Sequence, residues 1–436
     1  MTPVLDPVEA RPQSAAPAAP PAVLAGWLGT QALNSFRHAA ALRPFARKEF
    51  EAGVSTPSEG HIQAVNQLMD RLRGELLART GKMRAAARRA ASDQEAAHID
   101  ELLVRKERAH DAVRAVEKIW DFYFELFGQR QSRYGHWLVS CDRIALDCYQ
   151  EAYMHTGIAK SIPAPPAFSY MRTGFSPATF RRGIRLSKMG QINPFPLIQL
   201  PYHRLINPWT LGATLHEVSH NLQTDLGLSR AIPFQVAKRL LQAGMNPRVA
   251  AVWTRWNRET FADLSGLLLG GPAVVSSLMD VLGRGPATVT TYAPRAPHPT
   301  PYLRMLISCE LLRRMGFSGE AEIFRRAWLK LYPSPHRGTI PRALLESFPE
   351  AHKIVVDAMC YQPYKTLGGR SLSQLYSFAP KHQRIVEEAA GRLAAGNDPG
   401  VVPERFLIGA ARVALDRKLA QPRTIAENFY QELSRR

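Results

Sequence analysis

Apolar positions recur three and four residues apart over most of this chain, the signature of helices with one buried face. From His61, the series Ile62, Val65, Met69, Leu72 and Leu76 starts one such stripe, and Ala86, Ala87, Ala90 and Ala91 extend it. Ser92 or Asp93 is placed to cap a second helix, which carries Ile99, Leu102, Ala109, Val113, Val116 and Trp120 on one face. Helices over about 61–90 and 94–128 therefore predict an antiparallel hairpin. A further helix is expected over 134–156. Before the hairpin, residues 1–25 are rich in Pro and Ala and read as a disordered tail. Residues 26–60 fold without a clear pattern.

The pattern changes over 161–206. Pro163, Pro165 and Pro166 mark a boundary. Gly183–Leu186 and Phe195–Leu205 favour β structure, and Pro201 confines the second to an edge strand or to a strand end. An edge strand just ahead of the next helix would offer free backbone groups to an extended peptide.

That helix lies within Asn207–Gly227. Asn207 suits an N-cap, Pro208 a first helical position and Gly227 a helix end. Leu211, Leu215, Val218 and Leu222 form its apolar stripe. A short helix over 233–243 precedes a longer one that starts at Asn246-Pro247 and runs to Gly270-Gly271. Residues 285–301 form a Pro-rich loop. Helices at about 301–315, 319–331, 340–360, 370–395 and 402–434 complete the chain. The predicted fold class is mainly α with a small β-sheet (α+β). Its expected organisation is a tail (1–25), a helical domain with the hairpin (26–160), a core (161–335) and a C-terminal helical region packing on that core (336–436).

With 436 residues and 45% hydrophobic content the chain can bury a large core. Cys141, Cys148, Cys309 and Cys360 lack C-x-x-C spacing, which argues against a disulfide scaffold or a cysteine zinc knuckle and for buried free thiols. No secretory pattern or membrane-length apolar run is present, so a soluble, cytoplasmic protein is expected. The net charge of +19 invites a nucleic-acid reading. The basic residues are spread over the whole chain, however, and no recognition helix or basic block with interleaved aromatics accompanies them. Charge alone predicts weak attraction to polyanions.

The candidate chemistry sits on the Asn207–Gly227 helix. His216, Glu217 and His220 read H-E-x-x-H, which puts two imidazoles on one helical face with a carboxylate beside them. Continuation as H-x-x-G-x-x-H is excluded, because Gln223 and Leu226 occupy the last two positions. The third ligand then comes from a later helix. Glu259 and Asp263, in E-x-x-A-D, lie four apart on one face. Glu259 completes a His2Glu set with the fourth position open. Asp263 is placed to accept the outer ring N–H of a ligand histidine. Arg255 and Arg258 close by argue instead for a solvated face. No phosphate-binding glycine loop and no G-x-S-x-G elbow is present.

With these motifs in order, followed by His298-Pro299 and Arg304, the chain resembles the gluzincin metallopeptidases. It is similar to the family that contains the prenyl-protein and heat-shock membrane proteases and their soluble relatives. The matched motifs span about 208–310. The resemblance implies a zincin-like core and one zinc ion per chain, held by His216, His220 and Glu259. It implies Glu217 as general base in the hydrolysis of a protein or peptide substrate. A tetrahedral oxyanion needs a further donor, for which His298 and Arg304 are the first candidates and Tyr302 and Tyr292 the next. Two rival readings stand beside it. One is a non-catalytic helical interaction protein with a structural or vestigial metal site, the hairpin serving as the partner surface. The other is a basic nucleic-acid-associated protein.

Overall fold

A computed structural model describes residues 21–50, 53–174, 176–185 and 192–436. The fold is mainly helical with one three-stranded sheet. Two compact units divide it. One takes the chain up to Phe45 together with Val65–Glu125, and the other takes Ala46–Ala64 and Leu126–Arg436.

The smaller unit is built on α1 (Pro21–Ala41) and on most of α2 (Glu59–Asp93) and α3 (Ala96–Gly128). The expected tail falls mostly on residues outside those described, but its last residues, 21–25, open α1. The hairpin itself forms as the periodicity predicts. Its turn is made by Gln94 at a positive φ of 55°. Asp93 supports the turn by accepting from Glu95 N at 3.0 Å and pairing with His98 at 2.8 Å. Leu28 and Ala32 of α1 pack with Met83, Ala86, Ala87 and Ala90 of α2 and with Leu102 and Ala109 of α3. The small side chains in this set allow close helix approach.

In the larger unit, α4 (Gly135–Met154) contributes Leu138, Cys141, Ile144 and Cys148 to one continuous core. The sequence grouped this helix with the N-terminal ones, but its apolar face is buried here. All four cysteines are buried and unpaired. Next come β1 (Phe168–Met171), β2 (Ala178–Phe180) and β3 (Leu197–Leu200), in the order β1-β3-β2. β3 pairs parallel with β1, Phe168 opposite Leu197, and antiparallel with β2, Thr179 opposite Ile198. Of the two places open to Pro201 the strand end is the one it takes, and the strand is the central one, not an edge. Leu197, Ile198 and Leu200 are all buried, as an inner strand covered on both faces requires. Pro201 acts only as its terminator. The edge facing the site is β2, too short to leave a periodic trace.

His61 anchors this sheet. Its ring packs edge-on against Phe195, centroids 4.7 Å apart, and tilts over Phe168 at 5.1 Å. Nε2 donates to Pro166 O at 3.0 Å, and Nδ1 accepts from the Ser58 hydroxyl at 2.6 Å. Burial pushes its pKa down from 6.5 to about 4. The native state thus binds fewer protons than the unfolded chain between those values. The stability so conferred is complete above pH 6.5 and is lost as pH falls towards 4, to a limit of roughly 3 kcal/mol. Urea unfolding at pH 7 and pH 5 checks this. His61→Gln is expected to be less stable at pH 7 and to flatten the pH dependence, and an unchanged slope refutes the assignment.

Beyond the sheet lie α5 (Tyr202–Ile206), α6 (Gly212–Asp225), α7 (Ala231–Gln242), α8 (Pro247–Gly270), α9 (Pro272–Leu282), α10 (Pro286–Val289), α11 (Pro301–Arg314), α12 (Ser318–Leu331) and α13 (Arg342–Val356). The chain closes with α14 (Leu372–Leu375), α15 (Pro380–Ala394), α16 (Phe406–Asp416) and α17 (Pro422–Arg435). Two expected long helices are each divided by a proline. Pro380 and Pro422 disfavour the helical conformation in the preceding residue, and Ala379 (ψ 165°) and Gln421 (ψ 143°) are extended. The predicted loop 285–301 holds the single turn α10. Among the described residues no helix is long and apolar enough to cross a membrane.

Candidate metal centre

α6 and α8 build the centre. α6 starts later than its sequence suggests. Pro208–Thr210 forms a 3₁₀ turn, and the α-helix begins at Gly212 with no side-chain cap. Asn207 donates its side-chain amide to His203 O instead. The other end follows expectation. Gly227 takes φ 74°, and Gly227 N and Leu228 N return to Thr224 O and Gln223 O at 3.0 and 2.8 Å. That is the paired C-terminal closure that glycine permits. Leu211, Leu215, Val218 and Leu222 are all buried, which sets the rotation of α6 and turns His216 and His220 towards α8.

α8 begins as predicted, with the Asn246 side chain accepting from Arg248 N. Glu259, Asp263 and Gly266 recur at four and three residues, so they share the face towards α6. A Cβ at Gly266 would lie 3.3 Å from His216 N. The missing side chain lets α8 approach closely enough for Glu259 to reach both histidines. One turn further on, buried Gln223 donates to Asn257 at 3.2 Å and ties the two helices together.

Three ligand side chains converge. His216 Nε2 and His220 Nε2 are 3.1 Å apart. Glu259 places Oε2 at 3.4 Å from the first and Oε1 at 3.5 Å from the second. A tetrahedral ion with bonds of ~2.05 Å separates its ligands by ~3.3 Å, and the three separations, two of them to different oxygens of the Glu259 carboxylate, are of that size. Nitrogen, nitrogen and carboxylate oxygen also form a donor set that zinc accepts. The residues present fit the ion.

Asp263 organises the outer side. It is buried, and its Oδ1 lies 2.8 Å from His216 Nδ1. With one proton held on Nδ1 by Asp263, Nε2 is the nitrogen that would face a metal, giving up its own proton on binding. Burial opposes charge on His216, but the Asp263 carboxylate overrides it and raises the imidazole to about 10. Arg304, also buried, sets its fork on Asp263, with Nη2 to Oδ1 at 2.8 Å and Nε to Oδ2. Its guanidinium is thus committed to Asp263 and approaches Glu259 only to 4.0 Å. His220 lacks such support, and among the described residues its buried Nδ1 has no hydrogen-bond partner. Asp263→Asn is expected to raise the zinc dissociation constant roughly 10–100-fold. It also strands the Arg304 charge, at a cost of about 3–5 kcal/mol. Chelator competition and thermal unfolding read the two effects, and unchanged zinc affinity would refute the role given to Asp263.

Glu217 and His298 complete the centre. Glu217 lines the same cavity, of about 640 Å³, as the three ligands. It is only 6% exposed, and burial raises its carboxyl to about 7. His298 is the accessible member, with Nε2 3.2 Å from Glu259 Oε2 and a side chain 58% exposed. Burial would raise the Glu259 carboxyl, but hydrogen bonds from His216, His220 and His298 outweigh it and hold it far below the usual range. Tyr302 is buried away from the cavity lining, and Tyr292 enters only as the acceptor of a bond from Arg255 at 3.1 Å.

The cavity has walls that the motif pattern did not reveal. Ser176, Pro177, Ala178 and Thr179, the approach to and start of β2, line one side. Val274, Leu278 and Leu282 of α9 form an apolar wall. Arg255 and Arg258, which suggested a solvated face, line the same space as Glu259. Their positions four and one residues before Glu259 were the available signal. No protein-family model, no curated protein and no solved structure matches this chain.

Proposed function

We propose that this chain is a zinc-dependent metallopeptidase binding one zinc ion through His216, His220 and Glu259. The observation that carries the reading is the convergence of those three side chains, at 3.1, 3.4 and 3.5 Å from one another, in the cavity that also holds Glu217. A structural zinc site is closed by four protein ligands, whereas a hydrolytic one keeps a position open. Among the described residues, the cluster has three.

Zinc at this site supplies Lewis acidity towards a carbonyl oxygen and makes water a competent nucleophile near neutral pH. The protein's own groups then divide the work. Glu217, held near neutrality by burial, takes a proton from the attacking water at its carboxylate and hands it to the leaving amine. His298 reaches into the cavity from an exposed loop and donates to the developing oxyanion. Asp263 and Arg304 hold His216 in place. Peptide is favoured as substrate because β2 flanks the cavity and, among the described residues, pairs along one edge, towards β3. An extended chain can add along the other edge as a further strand.

The test is zinc stoichiometry by elemental analysis together with hydrolysis of unfolded casein. One zinc per chain is expected, with cleavage abolished by chelation and restored by zinc. A chain that neither retains zinc nor cleaves after zinc addition refutes the proposal.

A further inference from the structure

The charge around the cavity is not balanced. Its acidic lining residues are Glu217, Glu259 and Asp263, all within the metal centre. Arg304 is already paired with Asp263. Arg255 and Arg258 also line the cavity, both are exposed, and no ion pair engages either among the described residues. Among the described residues the Arg255 guanidinium donates to the Tyr292 hydroxyl, which steers it without neutralising it. The two arginines lie three apart on α8, so both project from the helical face beside Glu259.

A third arginine stands beside them, outside the cavity lining itself. Arg181 directly follows the last residue of β2 and is held by a bond to the Thr224 hydroxyl of α6 at 2.6 Å. It too has no carboxylate in ion-pair contact among the described residues. Arg181 and Arg258 stand close enough for their like charges to act on one another. Positive charge therefore gathers on the side where β2 finishes, and the carboxylate that acts on Arg181, Asp225, makes no ion-pair contact with it. The α9 wall of Val274, Leu278 and Leu282 is apolar, and Arg284, just beyond α9, is a further basic residue of the lining.

We infer that Arg255, Arg258 and Arg181 form a recognition site for an acidic side chain on the N-terminal side of the scissile bond, so that the substrates are acidic peptides. This rests on the metallopeptidase reading above. The direction follows from β2. An added strand pairs more stably antiparallel than parallel. Running opposite to β2, it starts at the Arg181 end and finishes at the Ser176 end. Its N-terminal half therefore meets the arginines. Guanidinium groups suit this task because their planar fork binds a carboxylate through two parallel hydrogen bonds.

The experiment uses the full chain loaded with zinc and a set of alanine-based octapeptides containing one leucine. Glu, Gln or Lys is placed at each remaining position in turn, and cleavage is mapped by mass spectrometry. Glu within three residues N-terminal to the cut is expected to raise kcat/KM over Gln by roughly tenfold or more. In Arg255→Glu/Arg258→Glu that ratio should fall to about one or invert in favour of Lys. A preference for Glu that survives this change reflects only the general positive charge of the chain and overturns the inference. Glu favoured only C-terminal to the cut overturns it as well. Binding of the same peptides, fluorescently labelled, to the zinc-loaded Glu217→Gln protein separates the two readings. Cleavage by the parent with equal affinity for Glu and Gln peptides refutes acidic recognition alone. Glu-selective binding without any cleavage by the parent refutes the peptidase reading and leaves the recognition site standing.

Discussion

Glu217→Gln is expected to keep its zinc and lose its hydrolysis. The side chain is not among the three whose ligand atoms converge, so the metal content should stay at one per chain. What glutamine cannot do is carry a proton between water and the leaving amine. Losing a positioned general base costs roughly 10²- to 10⁴-fold in rate, and kcat should fall by that amount with KM little changed. Stability should not suffer, because a buried carboxyl raised to about 7 gives way to a neutral group of the same shape. Steady-state kinetics on a quenched peptide, with zinc measured on the same sample, decide the matter. Parental turnover in the zinc-loaded variant would remove Glu217 from the chemistry.

Glu259→Ala should do the opposite and strike the metal first. Its carboxylate bridges the space between the two imidazoles, at 3.4 and 3.5 Å. Without it only two protein ligands remain, both on α6. The loss of affinity should exceed the roughly 10–100-fold that follows from removing an outer hydrogen-bond partner of a ligand. Zinc-dependent thermal stabilisation, which scales with the logarithm of ligand over dissociation constant, should largely vanish as well. Elemental analysis and melting curves with and without zinc test both points. Full zinc retention by this variant would mean that the metal sits elsewhere.

The two variants also separate the rival readings. A structural or vestigial metal site predicts that Glu259→Ala destabilises the fold while Glu217→Gln changes nothing measurable. A binding role driven by the +19 charge predicts that neither variant matters and that binding to DNA or RNA falls steeply with salt.

Much of the centre was legible because its geometry is local. Four-residue spacing on a helix places His216 beside His220, and Glu259 beside Asp263, whatever the surrounding fold does. Starts and stops such as Asn246 and Gly227 act through one or two backbone hydrogen bonds and can be read directly. The errors came where a longer-range choice overrode the local one. Asn207 and Pro208 carry the signals of a helix start, yet the chain makes a 3₁₀ turn there and defers α6 to Gly212. The segment Leu197–Leu200 has the composition of a strand, but composition does not say whether a strand is inner or outer. Its place between β1 and β2 depends on partners about 20–30 residues away.

The sequence by itself determined the two helical faces that carry the candidate ligands, the hairpin and the mainly helical class, because periodicity and capping act within a few residues. Only the tertiary structure decided that the two faces meet. That depends on α8 crossing α6 closely enough at Gly266 for one carboxylate to stand between two imidazoles 3.1 Å apart. It depends equally on Arg304 arriving from α11 to hold Asp263. The arginines at 255 and 258 show the same division. On the chain they are two charges beside a glutamate, and their place in the cavity follows from the packing of α8 against α6 and the end of β2.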